Sequence, residues 1–136
     1  MQYINNNIHT KYYLPTKRSD NKLIYVVEDD LLQADLLKDF LIGIGYQVSH
    51  LKSIRELTYQ MKQIVPDALL LDVCLPEGYT AGLNYLEGLQ DKVPTFIITN
   101  HDTQETCTRA ALSHAKYIFG KPIDFEKLQK NLERIL

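Results

Sequence analysis

Residues 23–30 read LIYVVEDD, five apolar residues followed directly by three carboxylates. A short, continuous apolar run that is rich in β-branched residues is typical of a strand buried on both faces. Two further short apolar runs follow, ALLL at residues 68–71 and TFII at residues 95–98. Such strands occur in parallel sheets covered by helices on each side, so these runs predict an α/β fold.

Helical patterns separate the strands along the chain. Apolar residues recur at helical spacing over residues 32–44, where Gly43 and Gly45 end the pattern, and again over residues 83–89. Three residues are candidate N-caps of further helices: Ser53, Asp102 and Asp124. Two weaker strands are predicted at residues 46–50 and 116–120.

A strand followed by a helix therefore occurs five times. This alternation predicts a flavodoxin-like (βα)5 fold, a doubly wound parallel sheet with strand order 2-1-3-4-5. Residues 22–136 are expected to form this domain. Residues 1–21, which include three consecutive Asn and scattered Tyr, are expected to be a flexible extension or a docking arm.

Composition excludes several classes of protein. The chain has 136 residues and a net charge of −2, divided into +2 over residues 1–21 and −4 over the remainder. An acidic body argues against direct nucleic-acid binding, because phosphate recognition needs a basic face. The sequence has neither an apolar run long enough for a membrane span nor a signal-peptide core, and its two Cys form no disulfide framework. A cytoplasmic location is expected.

Polar residues follow the predicted strands at the edge where ligands bind in parallel sheets. They are Glu28, Asp29, Asp30, Asp72, Thr99 and Lys121. Crowded carboxylates repel one another by about 4 kcal/mol per pair at ~4 Å, so they either take up a proton or bind a cation. Mg²⁺ fits oxygen ligands of this kind. Carboxylates, a metal, a hydroxyl and an ammonium group are the parts that phosphoryl transfer needs.

Other sites on this fold class fit less well. A flavin or nucleotide site needs a Gly- or Ser/Thr-rich phosphate loop after the first strand, where this chain has three carboxylates. A haloacid-dehalogenase-type phosphatase needs a second Asp two residues after the nucleophile, and Cys74 stands there. The sequence also lacks the Gly-x-Ser-x-Gly elbow of acyl hydrolases.

Four segments resemble the receiver domain of two-component response regulators. They are VVEDD at 26–30, LLDVCLP at 70–76, IIT at 97–99 and KPID at 121–124, in that order and each at a predicted strand end. The resemblance covers residues 22–136. It implies that Asp72 accepts a phosphoryl group from a sensor histidine kinase or a histidine phosphotransfer protein. It also implies a cis Lys-Pro bond.

The resemblance further implies the ligands of this site. Mg²⁺ would be held by Glu28, Asp29, Asp72 and the backbone carbonyl of Cys74. Thr99 and Lys121 would bind the phosphoryl oxygens.

A two-state switch is also implied by the resemblance. Movement of Thr99 and an aromatic residue would reshape the face formed by the fourth helix, fifth strand and fifth helix. That face would bind an output partner or domain, or a second copy of the chain. The chain would have no enzymatic activity beyond its own phosphorylation and dephosphorylation. The alternatives are an interaction module that works without phosphorylation and a small Mg²⁺-dependent phosphatase.

The chain departs from the family pattern at three places. The loop at residues 77–82 places its Gly about two residues late, beside the phosphorylation site. Asn100 follows Thr99, where a small residue is usual. The aromatic switch position falls on Ile118, and a one-residue bulge would be needed to bring Tyr117 to it.

The remaining candidates for chemistry have ordinary structural interpretations. The four His lack ligand spacing and are expected to be solvated: His9, His50, His101 and His114. Cys107 is expected to be buried on its helix.

Overall fold

The computed structural model describes residues 22–90 and 92–136, which form five strands and five helices in alternation. The strands are β1 Leu23–Val27, β2 Gln47–Leu51, β3 Ala68–Asp72, β4 Thr95–Thr99 and β5 Tyr117–Gly120. The helices are α1 Leu31–Gly43, α2 Ile54–Gln63, α3 Ala81–Leu89, α4 Gln104–Leu112 and α5 Phe125–Ile135. The predicted βα alternation is confirmed. Of the two weaker strands, the first is shifted by one residue at both ends, and the second begins one residue later than predicted.

The strands form one parallel sheet in the order β2-β1-β3-β4-β5, which confirms the predicted topology. The sequence order reverses at β1, so the carboxyl ends of β1 and β3 lie side by side at the switch point where α/β sheets bind ligands.

Both faces of the sheet are covered, which is why its central strands are apolar throughout. Side chains alternate between the faces, so β1 sends Tyr25 and Val27 to one side and Ile24 and Val26 to the other. The first side packs against α2, α3 and α4, and the second against α1 and α5. All five residues of β3 are buried. The sheet is therefore a rigid base for the groups at its carboxyl edge.

Most of the predicted helix caps are confirmed. The side chains of Ser53 and Asp124 each accept a hydrogen bond from the backbone N–H three residues later, and Asp30 caps α1 in the same way. The prediction for α4 is wrong by one residue, because Thr103 is the cap: its hydroxyl accepts from Thr106 N at 3.2 Å, and the helix begins at Gln104.

The Lys-Pro bond, Cys107 and the helix lengths also bear on expectations from the sequence. The Lys121-Pro122 peptide bond is cis. Cys107 is half-buried rather than buried. None of the helices in residues 22–90 and 92–136 has the length and apolarity needed to cross a membrane. The extension at residues 1–21, with its expected flexibility or docking role, lies outside the described residues.

Candidate functional site

Lys121 joins the ends of three strands at the carboxyl edge of the sheet. Its Nζ donates to Glu28 Oε1 at 2.7 Å and to Asp72 Oδ2 at 2.8 Å. The side chains of Lys121 and Asp72 are each 7% exposed, and that of Glu28 is 1% exposed. Two buried carboxylates therefore share one buried ammonium group.

Asp29 adds a third carboxylate to this pair. Oxygens of Glu28, Asp29 and Asp72 all lie within 4.8 Å of one another, and Asp29 is the exposed member. One lysine cannot neutralise three carboxylates, so the cluster has an excess of negative charge that faces solvent on one side. A hard divalent cation with oxygen ligands and several waters suits such a half-open group of carboxylates.

Burial and pairing act on the two central groups in opposite ways. Burial raises the pKa of Glu28, and the hydrogen bond from Lys121 only partly opposes it. Burial lowers the pKa of Lys121, but its hydrogen bonds to Asp72 and Glu28 outweigh that effect and leave the pKa raised. Lys121 is thus a permanent positive charge beside Asp72.

The backbone around Glu28 is held by two further contacts. Asp30 N donates to Glu28 Oε2 at 3.1 Å. His50 Nε2 lies 2.6 Å from Glu28 O, and because a carbonyl only accepts, the imidazole nitrogen is the donor. The expectation of a solvated His50 is therefore wrong. Its sequence spacing carries no signal, since only the pairing of β1 with β2 brings it beside Glu28.

Thr99 lies at the end of β4 with its hydroxyl on the same rim. The residue is buried, and its Oγ1 accepts from His101 N at 2.9 Å. This bond uses a lone pair of the hydroxyl, so its proton remains available for an anionic ligand. Asn100 is exposed beside it and lines a cleft of about 350 Å³ that extends past Lys121 to α1.

The loop between β3 and α3 is the one whose glycine comes late in the sequence. Gly82 N donates to Val73 O at 2.9 Å, and a Cβ on Gly82 would lie 2.0 Å from Asp72 O. Only glycine permits this approach, so position 82, where the loop meets α3, requires glycine. Cys74 lies in the same loop with an exposed side chain.

Tyr117 and Ile118 on β5 are the two candidates for the aromatic switch position. Strands β4 and β5 pair without interruption, with Ile97 opposite Ile118 and Ile98 opposite Phe119. No bulge interrupts this pairing, so Tyr117 is not brought to the place of Ile118. Ile118 packs on the side of α2, α3 and α4, whereas Tyr117 packs on the side of α1 and α5.

Comparison with known proteins identifies the family. Residues 24–133 match the response regulator receiver domain. The chain belongs to this family. It is a receiver domain of two-component systems, and domains of this family interact with histidine kinases and output domains.

Curated relatives of this receiver domain are longer proteins. It is 35% identical over 118 residues to the transcriptional regulatory protein ZraR of Escherichia coli K12, a match that covers 86% of this chain and 27% of ZraR. It is 30% identical over 116 residues to nodulation protein W of Bradyrhizobium diazoefficiens, covering 83% of this chain and 50% of that protein. The chain thus spans about a quarter of ZraR.

Solved structures of receiver domains have the same fold. The HemR receiver domain of Leptospira biflexa superposes with a TM-score of 0.75 at 26% identity, covering 84% of this chain and 93% of that one. A CheY-like receiver domain protein of Methanospirillum hungatei superposes with a TM-score of 0.76 at 22% identity, covering 83% and 91%.

Proposed function

We propose that the receiver domain accepts a phosphoryl group on Asp72 from a phosphohistidine of a sensor histidine kinase or a histidine phosphotransfer protein. The observation that carries this proposal is the contact of Lys121 with Asp72 inside a cluster of three carboxylates. In a plain structural ion pair the charges would balance. Here two carboxylates are in excess, as a site that receives a cation and an anionic group requires.

The transfer itself needs little covalent chemistry from the protein. A carboxylate oxygen of Asp72 attacks phosphorus, the P–N bond breaks, and its electron pair returns to the imidazole nitrogen of the donor. Lys121 and the proton of Thr99 stabilise the charge on the phosphoryl oxygens. Because these donors are held on strand ends, they require little reorganisation during the reaction.

Mg²⁺ is the cofactor that we propose for this site. Glu28, Asp29, Asp72 and the backbone carbonyl of Cys74 would hold it, and their oxygen atoms suit a hard cation. When bound, the ion neutralises charge between Asp72 and the incoming phosphoryl group.

The output is proposed to be a change in the α4–β5–α5 face. Thr99 ends β4, and its hydroxyl contacts the loop that leads into α4, so its movement toward a phosphoryl group would pull on that loop. Ile118 would follow as the adjustable side chain on β5. This face would bind an output partner, an output domain or a second copy of the chain, and we place the protein in the cytoplasm with its kinase.

The test is phosphorylation by a small donor. Incubation with acetyl phosphate and Mg²⁺ is expected to add one phosphoryl group by mass spectrometry, and Asp72→Ala is expected to abolish the gain. Asp39→Ala, which removes an exposed carboxylate from α1, is the matched control and should be modified like the wild type. An unmodified wild type, or equal modification of Asp72→Ala, would contradict the proposal and favour a module that binds its partner without phosphorylation.

A further inference from the structure

Glu77 connects the loop after Asp72 to a different part of the fold. Its carboxylate accepts from Ile54 N at 2.9 Å and from Arg55 N at 3.0 Å, which are the first two backbone donors of α2. These donors have no partner within their own helix. Although burial acts in the opposite direction, the backbone hydrogen bonds lower the pKa of Glu77, so it is a carboxylate at neutral pH.

The same loop is also held by backbone hydrogen bonds. Val73 N donates to Ile98 O at 3.3 Å, and Val73 O accepts from Gly82 N at 2.9 Å. Leu75 and Gly78 exchange two backbone hydrogen bonds of 3.1 and 2.8 Å, which form a tight turn. Glu77 lies inside that turn, so its bonds to α2 hold the turn against the body of the domain.

Cys74 lies between Val73 and the turn. Its backbone can shift only if Val73 or the turn shifts. The turn is also bonded to α3, where Ala81 N donates to Gly78 O at 3.2 Å, and Leu75 is buried in the core. Among the described residues, Glu77 bonds the turn to α2, so the position of the Cys74 carbonyl depends in part on Glu77.

We propose that Glu77 is a positioning residue for the metal site, which holds the Cys74 carbonyl in place by tethering the β3–α3 turn to the N-terminus of α2. This inference rests on the proposed function, because it concerns the Mg²⁺ that the site is proposed to bind. It also gives the departure from the family pattern a role: the longer loop is fastened to a neighbouring helix.

The competing explanation is that Glu77 only caps α2 and has no influence on the metal site. Glu56 provides a control for this explanation. Glu56 also supplies a carboxylate at this helix end, where its Oε1 accepts from Lys52 N at 2.8 Å. Among the described residues, Glu56 makes no hydrogen bond to the loop after Asp72. Loss of either carboxylate is expected to weaken the start of α2, and only loss of Glu77 removes the bonds between the turn and α2.

The experiment titrates MgCl₂ into four proteins and follows the NMR signals of the backbone amides. The proteins are the wild type, Glu77→Ala, Glu77→Gln and Glu56→Ala. Glu77→Ala is expected to weaken Mg²⁺ binding by about tenfold, the lower range for groups that orient a metal ligand. Glu77→Gln keeps one acceptor oxygen and should recover part of the loss. Glu56→Ala should bind Mg²⁺ as the wild type does, and chemical denaturation should show that both alanine variants lose stability.

The outcomes distinguish the proposed function from the positioning role of Glu77. Wild-type binding of Mg²⁺ that survives Asp72→Ala would contradict the proposed function itself. Wild-type affinity in Glu77→Ala, or an equal loss in Glu56→Ala, would overturn the positioning role while leaving the proposed function intact. If Glu77→Ala does not fold, the same comparison is made with Glu77→Gln and Glu56→Gln.

Discussion

A Lys121→Met variant is expected to lose about 3–5 kcal/mol of unfolding free energy at neutral pH without Mg²⁺, because removing one partner leaves buried charges uncompensated. Glu28 and Asp72 would then face each other and Asp29 with no positive group between them. Urea denaturation measures the effect. Lys130→Met, which removes an exposed ammonium group from α5, is the control and should change stability little.

The loss in Lys121→Met should shrink in acid. The pKa of Glu28 is already raised above 4.5 by burial in the wild type, and Lys121 opposes that rise. Removing Lys121 therefore raises the pKa of Glu28 further. A group whose pKa is higher in the folded state than in the unfolded chain stabilises the folded state. This contribution is complete at pH values below the unfolded pKa and is lost as pH rises through the folded pKa. Denaturation at about pH 5 and at neutral pH should therefore show a smaller deficit in acid. A deficit that is equal at both pH values would contradict the charge argument.

A Gly82→Ala variant is expected to lose about 3 kcal/mol, the upper range for overpacking, because the new methyl group meets backbone rather than a movable side chain. The Cβ would lie 2.0 Å from Asp72 O and 2.9 Å from Val73 Cα. Either α3 moves away or the end of β3 shifts. Thermal denaturation gives the stability change, and phosphorylation by acetyl phosphate should slow because Asp72 is displaced.

Gly88→Ala on the same helix is the matched control. No atom lies within 4 Å of a Cβ built there, so the methyl group enters open space. Alanine should stabilise α3 by about 0.5–1 kcal/mol, because glycine loses more conformational freedom in a helix. Equal behaviour of the two variants would show that the close contact at Gly82 does not limit the fold.

Local pattern was sufficient for the elements of the fold. The runs at residues 23–27 and 68–71 are apolar at every position, which only a strand covered on both faces explains, and the structure buries them as expected. The caps at Ser53 and Asp124 were predictable because capping depends on neighbours three residues away. The cap of α4 was misplaced because Asp102 and Thr103 are both good caps, and sequence does not separate adjacent candidates.

The groups at the site also divide into those that the sequence predicts and those that only the tertiary structure brings together. Glu28, Asp72 and Lys121 each end or follow a strand, so a parallel sheet places them on one rim before any coordinate is known. The sequence by itself thus determined the family, the topology and the acidic cluster. The tertiary structure alone decided that His50 bonds to the Glu28 carbonyl, that no bulge brings Tyr117 to the place of Ile118, and that Glu77 reaches α2. These contacts join residues that are distant along the chain, and no local periodicity encodes a distance between two separate elements.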